Sequence, residues 1–306
     1  MPPTRLSSRR PLAICLVLFC GLSASIARAQ SASTPPAPVP PTVAPLSASV
    51  PPDETVSQLR ERLSPGQRQQ LDDALAAYQA NRYADALTVL NQLRDRHPRD
   101  PILAKFVAEA SLNTGDAASA ITALKPLAAA ATSDWQASAL LARACAESGD
   151  APCRDAEMAH MLALHTQGLI PANVKDYPLE HVKIGTNTLI IFSSLEPWGG
   201  YKICALGEVR NADGKLLLTT TIESNDADQP DFAKEHPKQA EQGMRRFSLD
   251  AYAETGLNAA GQRTQTHYTF AFFDGQPSYD TIHENFVKIA SGKSSPLSSR
   301  TGLIVP

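Results

Sequence analysis

The chain has no block of lysines or arginines: its 306 residues include 28 basic and 31 acidic ones, a formal net charge of −3. Proteins that bind nucleic acid or an anionic membrane surface electrostatically concentrate positive charge in such blocks. Beyond the N-terminal region, no apolar run approaches the length that spans a bilayer. These absences argue against a nucleic-acid-binding protein and against an integral membrane protein.

Recognisable catalytic motifs are missing as well, since the sequence has neither a His-Glu-x-x-His segment nor a nucleophile elbow. Histidine and acidic side chains, which can support acid–base or metal chemistry, do gather near the C-terminus. First-turn charge placement in a helix explains part of this group better. We therefore predict no catalytic residue, metal or cofactor, and weigh as the alternative a set made of His267, Asp274, Asp280, His283 and Glu284.

The N-terminus has the order of a secretory signal peptide. Arg5, Arg9 and Arg10 precede an apolar stretch over residues 12–22, and Ala-Arg-Ala follows at 27–29. The apolar stretch is too short to span a membrane, which favours cleavage after residue 29. Cleavage would leave 24 basic and 31 acidic residues, a formal charge of −7.

A lipoprotein is the alternative reading of the same segment, because Cys20 lies near its end. Phe19 argues against it, since a bulky residue stands where lipoprotein processing calls for a small one. We expect a periplasmic protein, with secretion as the alternative. Residues 30–52 are nearly all Pro, Ala, Ser, Thr and Val, a composition that predicts a flexible linker acting as a spacer.

A spacing of 34 residues organises the next part of the chain: Asn81, Gly115 and Gly149 lie one period apart. Small and large apolar residues repeat in phase with them, namely Ala74, Ala108 and Ala142, Leu90, Leu124 and Met158, and Leu93, Leu127 and Met161. This period is typical of helix-turn-helix repeats and predicts six helices over residues 65–166. An ordinary helical bundle with accidental spacing is the alternative.

The first copy resembles a tetratricopeptide repeat (TPR). In that family a Gly or Asn in the turn is followed by an aromatic residue, an Ala and a closing Pro, and Asn81, Tyr83, Ala86 and Pro98 match in that order. The second copy lacks the aromatic residue, and the third is degenerate. The resemblance covers about a third of the chain, and we recognise no family for the C-terminal half.

The resemblance implies a helical solenoid over residues 53–168 whose inner surface, formed by the first helix of each pair, holds a peptide or a segment of another protein. A rigid spacer is the alternative. The residues expected on that surface are Arg68, Leu71, Leu75, Tyr78, Lys105, Glu109, Leu112, Asn113 and Arg143.

Three cysteines remain after cleavage of the signal peptide, in a compartment that favours disulfides. Cys145 and Cys153 lie four residues on either side of Gly149, so they would face each other across a helix pair. We predict a disulfide between them, which resembles the pairing in cysteine-rich relatives of these repeats, with two free core thiols as the alternative. Cys204 is predicted to be a buried thiol, with a nucleophile as its alternative.

After residue 168 the pattern changes to short β-branched and aromatic runs, which predicts a mainly antiparallel sheet domain over residues 175–291. A polar segment at 231–244 and an apolar stripe at 279–290 predict helices. Residues 292–306 are expected to be a flexible tail, with an added short edge strand or a partner-binding segment at 303–305 as the alternatives. The predicted strands are 189–195, 202–209, 216–223, 246–254 and 267–274.

Trp198 and Tyr201 flank two glycines, a pattern compatible with a ligand platform and equally with a hairpin turn whose aromatic rings cover the core. Taken together, the sequence predicts an α+β protein with three helix pairs followed by a sheet and a C-terminal helix. We predict an exported, non-enzymatic scaffold that binds a protein or peptide in the cell envelope. The alternatives are an envelope hydrolase using His267 or His283, and a small-ligand-binding protein with its site in the β-rich half.

Overall fold

The computed structural model describes residues 56–196, 206–225, 232–243, 245–274 and 278–303. The predicted signal peptide and the 30–52 linker lie outside these ranges. So do Trp198, Tyr201 and Cys204, together with the ligand platform and the thiol predicted for them.

Seven helices open the described chain, and the six predicted over residues 65–166 are confirmed. A further short helix, α1, precedes them and was not predicted. The helices are α1 (Val56–Arg62), α2 (Pro65–Gln79), α3 (Tyr83–Arg96), α4 (Pro101–Asn113), α5 (Ala117–Ala130), α6 (Trp135–Ser148) and α7 (Ala151–Thr166).

The 34-residue spacing has a conformational cause in the turns between paired helices. Asn81, Gly115 and Gly149 all have positive φ, at 58°, 85° and 76°. Glycine adopts this region without steric cost, and asparagine tolerates it better than most residues. The repeated residue therefore allows each first helix to end and the chain to reverse into the second.

Side-chain caps set where the helices begin. Ser64 forms a capping box with Gln67 at the start of α2. The aspartates at the starts of α4 to α7 each accept hydrogen bonds from backbone amides of the first turn. Caps of this kind satisfy amides that have no partner inside the helix.

Small residues let paired helices approach, because Ala74, Ala108 and Ala142 are at most 1% exposed. The leucines and methionines in phase with them belong to the same hydrophobic clusters and are buried, except Leu127, which is partly exposed. Alanine at a crossing allows the close interaxial distances of helix packing. The repeated positions are thus core positions.

Seven strands form one sheet. Strands that follow one another in the sequence lie side by side in the sheet, and every described pairing is antiparallel. The five predicted strands match β2 to β6, although residues 202–205 lie outside the described ranges. β1 was not predicted. The strands are β1 (Asp176–Ile184), β2 (Asn187–Ser194), β3 (Leu206–Arg210), β4 (Leu216–Asn225), β5 (Arg245–Leu257), β6 (Arg263–Asp274) and β7 (Ser298–Leu303).

Strand β7 corrects the expectation of a flexible tail over residues 292–306. Its backbone pairs with β6 from Thr264 to Thr269, and the hydroxyls of Thr266 and Thr301 lie 2.9 Å apart. The edge of β6 supplies backbone partners to the segment, which is why polar residues form a strand here. The alternative, an added edge strand, is the better interpretation, although it begins earlier than expected.

The predicted helix over 231–244 is also corrected, because two short helices, α8 (Phe232–Glu235) and α9 (Pro237–Glu241), stand in its place. Pro237 interrupts the hydrogen-bonding pattern between them, since proline has no amide hydrogen and disfavours helical backbone before it. Among the described helices, none has the length and apolar character needed to cross a bilayer.

The final helix, α10 (Tyr279–Ala290), is confirmed within the predicted bounds. Its buried stripe of Ile282, Phe286 and Ile289 belongs to one hydrophobic cluster with the sheet residues Leu189 and Leu249. The same cluster includes Met158, Met161 and Leu164 of α7. The last helix pair and the sheet therefore share a core.

Candidate functional site

A cavity of about 460 Å³ opens between the inner faces of α4 and α6. Among the residues predicted for the inner surface, Lys105, Glu109 and Arg143 line it. The remaining lining is mostly apolar: Val56, Ile102, Phe106, Trp135, Gln136, Ala139, Leu140, Tyr177 and Pro178. On α4 and α6 the lining residues recur three to four positions apart, the spacing of one helix face.

Other predicted surface residues lie elsewhere. Leu71 and Leu112 are 0% and 3% exposed and belong to the helical core, so their assignment to a binding surface is corrected. Both are apolar residues on the side of the helix that meets its partner, and burial stabilises them there. Arg68 donates from Nε to the carbonyl of Leu63, at the end of α1. Leu75 is half-buried against the same core.

Tyr78 of α2 contacts Phe106, one of the residues that line the cavity. Its ring makes edge contacts with Tyr83 and Phe106, with centroids 5.1 and 5.9 Å apart. Burial is the largest cause of a raised pKa at Tyr78. The negative charge of Glu109 and a hydrogen bond to its carboxylate raise this pKa further. The phenol is therefore a neutral donor to Glu109.

Lys105 has two acceptors at the rim of the cavity. Its Nζ lies 3.0 Å from Asp134 Oδ2 and 3.1 Å from Gln136 Oε1. Asp134 also caps α6 through Oδ1, which accepts from the amide of Ala137. The positive charge of Lys105 is thus matched by a carboxylate that the helix start already holds in place.

Arg143 is engaged at the other end of the cavity. Its Nε donates to Glu147 Oε1 at 2.7 Å, and its Nη2 donates to His181 Nδ1 at 3.0 Å and to Asn113 Oδ1 at 3.4 Å. Burial, then the charges of Arg143 and Lys183, lower the pKa of His181 to about 3. His181 is therefore neutral at pH 7 and can accept from Arg143.

The outer edge of β1 runs against α6. Glu147 Oε1 accepts the backbone amide of His181 at 3.1 Å, so the helix supplies a partner to an edge strand. Burial raises the pKa of Glu147, and Arg143 opposes that rise. Tyr177 and Pro178 at the start of the same strand form one wall of the cavity.

This arrangement shortens the inner surface that was expected to hold a peptide. β1 covers the inner surface beside α6, and Val56 at the start of α1 lines the cavity on another side. Leu59 of α1 and Leu63 just after it are buried in the helical core, which explains the placement of α1. The remaining space is a bounded pocket of the size that holds small ligands or a few side chains.

The residues weighed for catalysis do not converge on one centre. His283 pairs with Glu180, Asp280 with Arg154, and Glu284 with Lys288. His267 instead bonds Asp250 on the neighbouring strand. The side chain of Asp274 lies outside the described part of the structure.

Asp250 of β5 and His267 of β6 form a hydrogen-bonded pair, and the sequence pattern did not indicate Asp250. Asp250 Oδ2 lies 2.5 Å from His267 Nε2, and the imidazole stacks on Tyr252 with centroids 4.7 Å apart. Asp250 is 8% exposed, and its Oδ1 has no hydrogen-bond partner within the described ranges. Register places His267 opposite Tyr252, and Asp250 lies two residues before Tyr252 on the same face of β5. No nucleophilic hydroxyl hydrogen-bonds His267 among these residues.

The predicted disulfide is present. Cys145 and Cys153 are bonded, with their Cα atoms 5.7 Å apart. Asp150 lies close to both sulfur atoms, and within the described residues this is the group that comes nearest to a metal site. The bond removes both thiolates, so the group does not fit a metal ion.

Comparisons with known proteins add a structural likeness. No protein-family model matches the chain, and no curated protein matches it significantly. The crystal structure of the Sgt2 TPR domain from Aspergillus fumigatus is similar at 17% identity and a TM-score of 0.32, covering 34% of this chain and 70% of that one. A likeness at this level does not carry a fold or a function from one chain to the other.

Proposed function

We propose that this chain is an exported, non-enzymatic binding protein whose TPR-like helix pairs hold a short apolar segment of another protein. The observation that carries the proposal is the cavity between α4 and α6, which leaves Phe106, Trp135 and Leu140 lining an open space. Aromatic side chains are the commonest anchors of binding energy at protein interfaces. An apolar side chain of a partner would displace water from this space.

The two basic side chains of the cavity favour a binding function over a catalytic one. Lys105 and Arg143 already have carboxylate partners, at 3.0 and 2.7 Å. Groups held in this way shape and orient a pocket, whereas a reaction needs a group free to exchange a proton or to attack. The cavity therefore offers shape and apolar contact.

The proposal of export is supported by the N-terminal sequence, which has three arginines, an apolar stretch over 12–22 and alanines at 27 and 29. We propose a periplasmic location, with the partner in the cell envelope. Fractionation of a two-membrane bacterial host, followed by N-terminal sequencing of the recovered protein, tests it. Mature protein beginning at Gln30 in the periplasmic fraction is expected. Full-length protein in the cytoplasm would contradict export.

Binding is tested by photocrosslinking in cells. A benzophenone amino acid replaces Gln136, which is exposed and lines the cavity, and in a matched strain it replaces the exposed Ala118 of α5. We expect a defined crosslinked protein from position 136 and not from position 118. Ala139→Trp, which fills the cavity, should abolish that adduct.

The same adduct from both positions, or an adduct that survives Ala139→Trp, would place the partner elsewhere. Circular dichroism of Ala139→Trp confirms that the helices remain folded. Gln136→Trp in a strain with the crosslinker at Leu140 provides a second filling variant, because position 136 is exposed and tolerates a larger side chain.

A second candidate function, a hydrolase, is favoured by one observation, the hydrogen bond between Asp250 and His267. A carboxylate that orients an imidazole can make it a general base for water. Screening the exported protein against ester and amide substrates, beside His267→Gln, tests this candidate. Activity that His267→Gln removes would support it; equal activity in both proteins would reject it.

A further inference from the structure

We propose that the partner segment carries a lysine or arginine within two residues of its apolar anchor, with the cation received by Glu109. The inference rests on the proposed function, because it concerns the occupant of the same cavity. Its basis is the charge balance of the pocket and the position of Glu109 relative to the apolar lining.

The charged side chains that line the cavity are Lys105, Arg143 and Glu109. Lys105 is matched by Asp134, and Arg143 is matched by Glu147. His181 adds no charge at pH 7 because its pKa is lowered to about 3. Glu109 is left without an ion-pair partner among the described residues.

Tyr78 does not neutralise Glu109. Burial, then the charge of Glu109 and a hydrogen bond to it, raise the pKa of Tyr78, so the phenol carries no charge at pH 7. The negative charge of Glu109 therefore stays in place. A cationic group entering the cavity would find one carboxylate that no cation of the described residues occupies.

Glu109 and the apolar lining share one face of α4. Ile102, Phe106 and Glu109 lie at intervals of four and three residues, so Phe106 and Glu109 are neighbours on the helix, with Cβ atoms roughly 5–6 Å apart. An apolar side chain resting on Phe106 and Trp135 would thus place its neighbours beside Glu109.

The short distance between Phe106 and Glu109 determines which peptide motif we expect. In an extended segment, residues i and i+2 point to the same side and lie roughly 6.6 Å apart. The long stems of lysine and arginine also allow the adjacent residue to reach the carboxylate while their methylene groups cover apolar surface. The motif is therefore a basic residue one or two positions from a large apolar residue.

Selection of peptides from a random displayed library by the mature protein tests the motif. Three variants accompany the wild type: Glu109→Gln, the cavity-filling Ala139→Trp, and Glu241→Gln, which makes the same charge change on the exposed surface of α9. Peptides that wild type selects and Ala139→Trp does not are then measured by titration calorimetry at low and high salt.

We expect basic residues near an apolar residue in the cavity-dependent peptides. Glu109→Gln should weaken their binding about fivefold and flatten its salt dependence, since a half-exposed ion pair is lost. Glu241→Gln should leave both unchanged. Cavity-dependent peptides without basic residues, or with equal affinity for Glu109→Gln, would overturn the motif and leave the proposed function intact. Selection of no cavity-dependent peptide would overturn both.

Discussion

His283 of α10 and Glu180 of β1 form a hydrogen-bonded pair, with 2.8 Å between Nδ1 and Oε2. The hydroxyl of Tyr279 donates to the same carboxylate oxygen. Arg154 of α7 lies over the Tyr279 ring, 4.2 Å from its centroid, and bonds Asp280. These contacts connect the last helix pair, the first strand and the last helix through polar groups around a shared apolar core.

The first prediction concerns pH. The hydrogen bond to Glu180 raises the pKa of His283 above its usual 6.5. The negative charges of Glu180 and Asp280 raise it further, whereas burial and the charge of Arg154 lower it. A group whose pKa is raised by folding stabilises the protein at pH values below its unfolded pKa. This contribution is lost as the pH rises through its folded pKa. The free energy of unfolding in urea should therefore fall between pH 5.5 and 8.5 by more in wild type than in His283→Gln.

His165→Gln serves as the control, because it removes a histidine from the end of α7 without touching this network. Its pH dependence should follow that of the wild type. An identical change for wild type and His283→Gln between the two pH values would show that the pair does not act in this way.

The second prediction concerns the disulfide. Cys145 and Cys153 are eight residues apart, and closing a loop of this length is expected to stabilise the folded state by about 2–3 kcal/mol. Replacing both cysteines with alanine should lower the free energy of unfolding by this amount. A thiol count on the denatured, unreduced mature protein should find one free thiol. A count of three would refute the bond.

The third prediction concerns the contact of α10 with the sheet. A Cβ atom at Gly207 would lie 2.6 Å from Thr220 Oγ1, 3.1 Å from Phe286 Cδ2 and 3.2 Å from Leu189 Cδ1. Gly207→Ala should therefore destabilise the protein by about 1–3 kcal/mol, the cost of overpacking a core. Thermal denaturation measures the effect.

Gly66 provides the matched control, because a Cβ atom there meets nothing within 4 Å. Gly66 lies in α2, so Gly66→Ala should be neutral or stabilise the helix by up to about 1 kcal/mol. Equal effects of the two substitutions would contradict the close approach of Phe286 to the backbone of β3.

The fourth prediction concerns Asp250. His267→Ala would leave this buried carboxylate without its one described donor, a cost of about 1–3 kcal/mol. The double variant Asp250→Asn/His267→Ala should be more stable than His267→Ala alone, since a buried neutral amide is less costly than a buried unpaired charge. Urea unfolding of the three proteins checks the order. A double variant less stable than the single one would indicate that the Asp250 charge has another compensating partner.

The sequence predicted the features whose cause lies within a few residues. Asn81, Gly115 and Gly149 indicated the helix turns because a left-handed backbone conformation selects these residue types. The positions of Cys145 and Cys153 around one such turn were enough to predict their bond. The stripe of Ile282, Phe286 and Ile289 likewise predicted α10.

Other features left no comparable local signal. β1 alternates poorly, and its burial depends on α6, which lies more than thirty residues earlier in the chain. β7 begins with four polar residues and acquires its conformation from the edge of β6. Leu71 and Leu112 carry the same apolar character as the residues that line the cavity, so pattern alone did not separate core from pocket.

By itself, the sequence determined the helix pairs, their turns, the disulfide and most strands, because backbone conformation and hydrophobic periodicity act over short distances. The tertiary structure decided that β1 lies along α6, that α1 and β1 bound the inner surface, and that Glu109 has no matching cation among the described residues. Those outcomes depend on side chains brought together from distant parts of the chain, where burial and charge pairing select among arrangements that the local pattern leaves equivalent.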